Sequence, residues 1–165
     1  MWMHIKNLVF IFGAQYLYLV VIVVASVWFL MQPKLKQKEI LFLFCICAPL
    51  IYIASLIASF LCYNPRPFVL GHFKPLITHK ATNGFPSHHM LLTSALSAVI
   101  FIFNQRLSSI LWILVLFVGI SRIYVGVHHF IDVAGGVLIS VVIVSMVNFT
   151  IIYFKDIILK VCRNL

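Results

Sequence analysis

The chain has 165 residues, of which 64% are hydrophobic and only 9% are charged. Soluble domains carry about 25% charged residues, so this composition excludes a water-facing surface over most of the molecule. The net charge is +9, from 12 Lys and Arg against three acidic residues. These basic residues are scattered between apolar runs, which argues against nucleic-acid binding and favours an anionic membrane surface or an anionic substrate.

Apolar runs long enough to cross a bilayer follow one another along the chain. At about 20 residues per span, the length allows five or six spans in a single domain over residues 1–165. The five predicted spans cover residues 8–31, 40–63, 87–103, 107–125 and 133–154. The expected fold is therefore an all-α, polytopic membrane helix bundle.

Residues 64–86 form the only long polar segment between the predicted spans. The segment contains four prolines and two glycines, so we expect an irregular loop. Ser87 follows it directly and precedes an apolar run, which predicts a helix start at this residue. Pro49 lies inside the second span and predicts a kink there.

The basic residues divide unequally between the two ends of the predicted bundle. Cytoplasmic loops are expected to be richer in Lys and Arg. The richer end holds Lys34, Lys36, Lys38, Arg106, Lys155, Lys160 and Arg163. The other end holds Lys6, Arg66, Lys74, Lys80 and Arg122. We therefore expect the loop 64–86 and the segment 126–132 to meet at the outer membrane-water interface of the cytoplasmic membrane, facing the periplasm or the exterior.

A histidine and an aspartate four residues apart mark the first candidate for chemistry. Because His128 and Asp132 are separated by about one helical turn, the carboxylate could accept a hydrogen bond from one ring nitrogen. That bond would fix the tautomer and leave the other nitrogen free to attack. Asp132 is also the only acidic residue outside the segments expected to be cytoplasmic, so a partner is expected. Arg122, at a span end, has a planar fork that suits phosphate oxygens.

A second polar cluster begins the third predicted span. Ser87 and the free backbone amides behind it would form an anion site, which the helix dipole supports. His89, in the first turn, could protonate a leaving oxygen. Arg66, held between two prolines, adds a second guanidinium. The set suits phosphoryl transfer to histidine. Since no cluster of acidic residues could hold magnesium, we expect neither a metal nor a cofactor.

These residues resemble the three motifs of the type-2 phosphatidic acid phosphatase superfamily. The motifs of that family are Lys-x6-Arg-Pro, Pro-Ser-Gly-His and Ser-Arg-x5-His-x3-Asp. Here they read Ser59-x6-Arg66-Pro67, Pro86-Ser87-His88-His89 and Ser121-Arg122-x5-His128-x3-Asp132. The third match is complete, whereas Ser59 replaces the lysine of the first motif and His88 the glycine of the second. The resemblance covers roughly residues 40–150.

The resemblance implies a role for each matched residue and a reaction without metal. His128 would be the nucleophile that becomes phosphohistidine, Asp132 would orient it, and His89 would be the general acid. The residues implied to hold the phosphate are Arg66, Ser87 and Arg122.

The bacitracin-resistance branch of the superfamily is similar in further detail. Its members are undecaprenyl-diphosphate phosphatases that often lack the first-motif lysine and carry a Pro-Arg-Pro-Phe stretch, as at 65–68 here. The resemblance therefore implies hydrolysis of undecaprenyl diphosphate to undecaprenyl phosphate and inorganic phosphate, which recycles the cell-wall lipid carrier. The residues hypothesised to bind the second phosphate are His72, Lys74, His79, Lys80 and His88.

Other interpretations of the same residues stay open. The substrate could be phosphatidic acid, phosphatidylglycerol phosphate or a lipid A phosphate, and the oligomeric state is not indicated. The pairs 88–89 and 128–129 could instead ligate haem or a metal in a protein of another class. A catalytically silent lipid-binding relative is a third alternative. For His129 and Ser59 we expect structural roles, and for Gly135 and Gly136 close helix packing.

Overall fold

The chain folds into seven α-helices in the computed structural model, which describes the backbone of residues 2–163 and the side chains of residues 2–155. The helices are α1 (Trp2–Gln15), α2 (Leu17–Leu30), α3 (Lys34–Leu61), α4 (Pro67–Leu70), α5 (His88–Phe103), α6 (Gln105–Tyr124) and α7 (Phe130–Arg163). Over the described backbone there is no strand, only an isolated antiparallel bridge between Pro65 and Asn83. The predicted all-α class is confirmed.

Three helices are long and apolar enough to cross a membrane: α3, α6 and α7 over Phe130–Lys155. Together α1 and α2 also meet this criterion, although they are bent by 48°. The fifth apolar helix, α5, has 16 residues. The predicted membrane bundle is thus confirmed, and each predicted span corresponds to helix in the structure.

The first predicted span, residues 8–31, is a bent pair of helices rather than one straight helix, because the helix breaks at Tyr16. The backbone of Tyr16 has φ −125° and ψ −24°, outside the helical range. Next to the break, the carbonyl of Ala14 accepts a hydrogen bond from Nη1 of Arg122 at 3.2 Å. The bend therefore lies beside one of the candidate site residues.

Helix α5 lies at the centre of the bundle and packs against α2, α3, α6 and α7. The approach of α7 is close because Gly136 faces α5 without a side chain, whereas Gly135 faces the ring of Phe85 in the loop before α5. A Cβ at Gly136 would lie 2.8 Å from Cβ of Met90 and 2.9 Å from the carbonyl oxygen of Ser87. The expected role in close helix packing is confirmed for Gly136.

The segments that carry the candidate residues meet at one end of the bundle. Here α3 and α6 end, α5 and α7 begin, and the backbone NH of Ser87 donates to the carbonyl of Asp132 at 3.0 Å. The long loop is tied to the α6–α7 turn, because the NH of Leu76 donates to the carbonyl of Val125 at 3.1 Å. Ile77 is buried against Ala14, Val125 and Val127. The loop thus folds back over this end of the bundle.

Candidate active site

His128 and Asp132 form a buried hydrogen-bonded pair. Nδ1 of His128 lies 3.2 Å from Oδ2 of Asp132, and the two side chains are 3% and 0% exposed. The predicted contact is therefore present, but the two residues do not share a helix. His128 lies in the turn before α7, and Asp132 lies in the first turn of that helix.

The neighbours of His128 define which ring nitrogen carries the proton. A carboxylate only accepts hydrogen bonds, so Nδ1 of His128 donates to Asp132. A guanidinium only donates, so Nε2 accepts from Nη1 of Arg66, at 3.3 Å. Nε2 therefore presents its lone pair to the region in front of Arg66. Of the two ring nitrogens, Nε2 is thus the one with a lone pair, which is the requirement for a nucleophile.

The ring of His128 is neutral near pH 7. Its pKa is lowered from 6.5 to about 4, mainly by burial and also by the positive charges of Arg122 and Arg66, although the hydrogen bond to Asp132 raises it. A neutral imidazole keeps the lone pair that a nucleophile needs.

Arg66 is fixed by backbone carbonyls on two sides. Nη1 donates to the carbonyl of Val127 at 2.9 Å, and Nη2 donates to the carbonyl of Asn83 at 3.2 Å. Burial lowers the pKa of Arg66, whereas the charge of Asp132 raises it. The Nε atom is buried and has no partner within the described side chains. The guanidinium is thus oriented and keeps one unused donor.

Arg122 and Ser87 add further buried donors that the described part of the protein leaves unused. Arg122 is 3% exposed, and its Nε and Nη2 atoms have no partner in this part of the chain. The hydroxyl of Ser87 is fully buried and is also without a partner there. An unsatisfied buried donor costs about 1–3 kcal/mol, so these groups suit an anion that would accept from them.

Helix α5 begins at the phosphate-binding candidates, as predicted. Ser87 is its N-cap residue, and the side chain makes no capping bond. The positive end of the helix dipole therefore points into the same region as the unpaired donors. His89, in the first turn, is half-buried, and its ring meets that of Tyr18 edge to face at 4.6 Å between centroids.

Asn83 is a central residue that the sequence analysis missed. Its Oδ1 accepts from the NH groups of Asn64 and Phe85, at 2.9 and 3.0 Å. Its Nδ2 donates to the carbonyl and the hydroxyl of Ser59, at 2.8 and 3.0 Å. Asn83 therefore links the end of α3 to the carbonyl that holds Arg66, and the expected structural role of Ser59 is confirmed. An asparagine in a polar loop gives no sequence signal for such a role.

Asn64 was also missed, although it contacts the central pair. Its Nδ2 donates to Oδ1 of Asp132 at 2.7 Å, and the backbone NH of His129 donates to Oδ2 at 2.8 Å. The ring of His129 instead points to the carbonyl of Pro65, with Nε2 at 3.1 Å from that oxygen. His129 thus has the structural role expected for it.

The structure separates His88 from the other candidates. His88 is exposed and lines an apolar groove between α3 and α5, beside Tyr52 and Ser55. Its suggested contact with the second phosphate stays a prediction. Among the described residues, no three side chains of His, Cys, Asp or Glu gather closely enough to hold a metal ion.

The family model of the PAP2 superfamily matches residues 39–155. The chain belongs to this superfamily. The matched region begins in α3 and contains every candidate residue described above, so the resemblance found in the three motifs is confirmed.

Two relatives carry the name BcrC. The chain is 40% identical over 89 residues to "Bacitracin transport permease protein BcrC" of Bacillus licheniformis, which covers 53% of this chain and 43% of the relative. It is 30% identical over 126 residues to "Undecaprenyl-diphosphatase BcrC" of Bacillus subtilis (strain 168), which covers 74% of this chain and 62% of the relative. The chain thus matches between 43% and 62% of the length of these relatives.

Two crystal structures share the fold. That of Aquifex aeolicus LpxE superposes with a TM-score of 0.70 at 22% identity, over 87% of this chain and 85% of LpxE. That of a PAP2-type phosphatidylglycerolphosphate phosphatase from Bacillus subtilis gives a TM-score of 0.56 at 21% identity, over 90% of this chain and 76% of the other. The likeness establishes the helix arrangement of a PAP2 membrane protein.

Proposed function

We propose that this chain is a membrane lipid phosphatase that hydrolyses undecaprenyl diphosphate to undecaprenyl phosphate and inorganic phosphate through a phosphohistidine intermediate. The observation that carries the proposal is the orientation of His128. Asp132 holds its Nδ1 proton, while Nε2 presents its lone pair beside Arg66. The name of the Bacillus subtilis relative supports the choice of undecaprenyl diphosphate over other lipid phosphates.

The first step would transfer the terminal phosphoryl group to the enzyme. Nε2 of His128 attacks the terminal phosphorus, and the bond from that phosphorus to the bridging oxygen breaks. His89 gives a proton to the bridging oxygen, and undecaprenyl phosphate leaves. Asp132 stabilises the positive charge that develops on the phosphorylated ring.

The second step would release the phosphate. A water molecule gives a proton to His89 and attacks the phosphorus, and the bond to Nε2 breaks. Inorganic phosphate leaves, and both histidines return to their starting states. In both steps the phosphoryl oxygens would accept from Arg66, Arg122 and Ser87, whose buried donors are unused in the described structure.

The chemistry would proceed without metal or cofactor, because the cations of the chain itself provide the charge stabilisation. We propose further that the protein is a multi-pass protein of the cytoplasmic membrane with the site facing the periplasm or the exterior. Its partners would be the lipid substrate and the surrounding membrane lipids, with no role for nucleic acid. In this place it would recycle the lipid carrier of peptidoglycan biosynthesis and contribute to bacitracin resistance.

A phosphate-release panel in detergent with a chelator present tests the proposal. Undecaprenyl diphosphate is compared with phosphatidic acid, phosphatidylglycerol phosphate and lipid A. The blank is His128→Ala, and the matched control is His4→Ala, which changes an exposed histidine of α1. We expect the diphosphate to be hydrolysed fastest and the control to match the wild type. Equal turnover of all substrates would remove the substrate assignment, and activity in His128→Ala would remove the mechanism.

A further inference from the structure

One histidine of the long loop lies next to the central pair. The ring of His79 is half-buried and meets the ring of His128 nearly edge-on, with 6.1 Å between centroids. The other charged or titratable side chains of the loop after α4 are all exposed: His72, Lys74 and Lys80. Among the loop residues considered for a second phosphate, His79 is thus the one that the structure places at the site.

The position of His79 is set by its neighbours in the chain. Ile77, two residues earlier, is buried, and the NH of Leu76 is bonded to the carbonyl of Val125. Nδ1 of His79 lies 3.3 Å from the carbonyl of Lys80. Because a carbonyl only accepts, Nδ1 carries the proton and Nε2 is the free nitrogen of the ring.

Positive groups surround His79 from several elements. Burial lowers its pKa, the charges of Arg66, Arg122 and His88 lower it further, and the carbonyl of Lys80 raises it. His128 faces it from the turn before α7. The ring is therefore neutral near pH 7 while no anion is bound. An anion between these cations would reverse the electrostatic effect and favour protonation.

We propose that His79 is a substrate-contacting residue that takes up a proton as the diphosphate binds. Nε2 gains the proton from solvent and donates it in a hydrogen bond to a phosphate oxygen, while no bond of the substrate changes. A diphosphate monoester carries more negative charge than a monophosphate, so the added charge on His79 favours the diphosphate. The inference rests on the proposed phosphatase function and names the residue that selects its substrate class.

The test compares two lipids that differ by one phosphate, farnesyl diphosphate and farnesyl phosphate. For His79→Gln we expect kcat/KM to fall by about tenfold with the diphosphate, mainly through KM, and by less than about threefold with the monophosphate. The matched control is His4→Gln, which makes the same change at an exposed histidine of α1 that is not among the candidate phosphate ligands. The control should match the wild type with both lipids.

The pH dependence adds a readout that a structural role would not move. In the wild type the ratio of the two kcat/KM values, corrected for the ionisation of the two substrates, should fall as pH rises, because proton uptake by His79 becomes harder. In His79→Gln the ratio should be flat. Calorimetry of the wild type with methylenediphosphonate in buffers of different ionisation enthalpy should show net proton uptake, after correction for the ligand.

The outcomes separate this inference from the proposed function. Equal losses with both lipids, an unchanged ratio, or no proton uptake by the wild type would each overturn the role of His79 alone. If the wild type hydrolyses neither lipid, or if His128→Ala stays active, the phosphatase mechanism fails and the role of His79 falls with it.

Discussion

Nδ2 of Asn64 donates a hydrogen bond of 2.7 Å to Oδ1 of Asp132, the carboxylate oxygen that His128 leaves free. The other oxygen, Oδ2, accepts from His128 and from the backbone NH of His129. With both oxygens engaged, the plane of the carboxylate is fixed, and so is the ring that it orients. Asn64 is thus a positioning residue for His128, although it contacts neither the ring nor the space in front of it.

Replacement of this amide should slow the reaction without preventing binding. We expect Asn64→Ala to lower kcat by about tenfold with little change in KM, because one hydrogen bond to a charged group is lost. Asn64→Asp should lower kcat further, since a second carboxylate would face and repel Asp132. Steady-state kinetics check both, and Asn148→Ala in α7, far from the site, is the control. A loss confined to KM would contradict this role.

His89 can be tested through the leaving group. We expect His89→Ala to lower kcat for the lipid diphosphate by about a hundredfold or more, because the leaving oxygen needs a proton. The formation of phosphohistidine from 4-nitrophenyl phosphate should be affected much less, because nitrophenolate leaves without one. Rapid-mixing measurement of nitrophenolate release gives this step directly. The same loss with both substrates would exclude His89 as the general acid.

The pKa of His128 predicts an enzyme active on the acid side of neutrality. The neutral ring is the nucleophile, and burial lowers its pKa to about 4. The kcat/KM value, corrected for the ionisation of the substrate, should therefore stay level down to about pH 5 and fall as pH passes through the pKa. Between pH 6.5 and the lowered pKa the unfolded chain binds more protons than the native protein, so stability should decrease in the same direction. An acid limb of the rate profile near pH 6.5 would contradict the burial of this ring.

Asn83 and Asn104 lie at opposite ends of the bundle, so the effects of replacing each of them by alanine can be compared. Asn83→Ala removes the side-chain bonds to Ser59, Asn64 and Phe85 but keeps the backbone carbonyl that accepts from Arg66. We expect a loss of about 2 kcal/mol of stability together with about a tenfold fall in kcat/KM, because that carbonyl is no longer held in place. Asn104→Ala removes the N-cap bond to the NH of Leu107 and should cost about 1 kcal/mol without affecting activity. Thermal unfolding in detergent and phosphate release measure the two effects. Equal activity in both variants would show that Asn83 supports only the fold.

The helix bundle could be predicted because each of its helices is marked by an apolar run within a short stretch of sequence. Each apolar run produces a helix wherever it occurs, and Ser87 after Pro86 predicted the start of α5 correctly. The break at Tyr16 was not predictable, because no proline lies near it and the nearest glycine, Gly13, is inside α1. The break lies next to a long-range contact, in which Arg122 donates a hydrogen bond to the carbonyl of Ala14. A contact between residues over a hundred positions apart leaves no periodic pattern.

The candidate site likewise contains some residues that the sequence predicts and others that it does not. His128 and Asp132 were predictable as a pair, because they are four residues apart and their chemistry is distinctive. Asn64 and Asn83 were not, since an asparagine in a loop is an ordinary turn residue and its partners lie on other segments. His79 was one of five equivalent loop candidates. Only the burial of Ile77 and the fold of the loop over the bundle distinguish it from the others.

The length of α5 has a consequence for the membrane itself. Its 16 residues span about 24 Å, whereas the hydrocarbon core of a bilayer is about 30 Å thick. Since Ser87 lies at the start of this helix, a phosphate held there sits below the plane of the surrounding headgroups unless the bilayer thins locally. The mismatch between the length of α5 and the thickness of the bilayer would thus change the depth of the site in the membrane. In reconstituted vesicles, longer acyl chains should make the site harder for a phosphate headgroup to reach, so bilayer thickness becomes a variable that sets turnover.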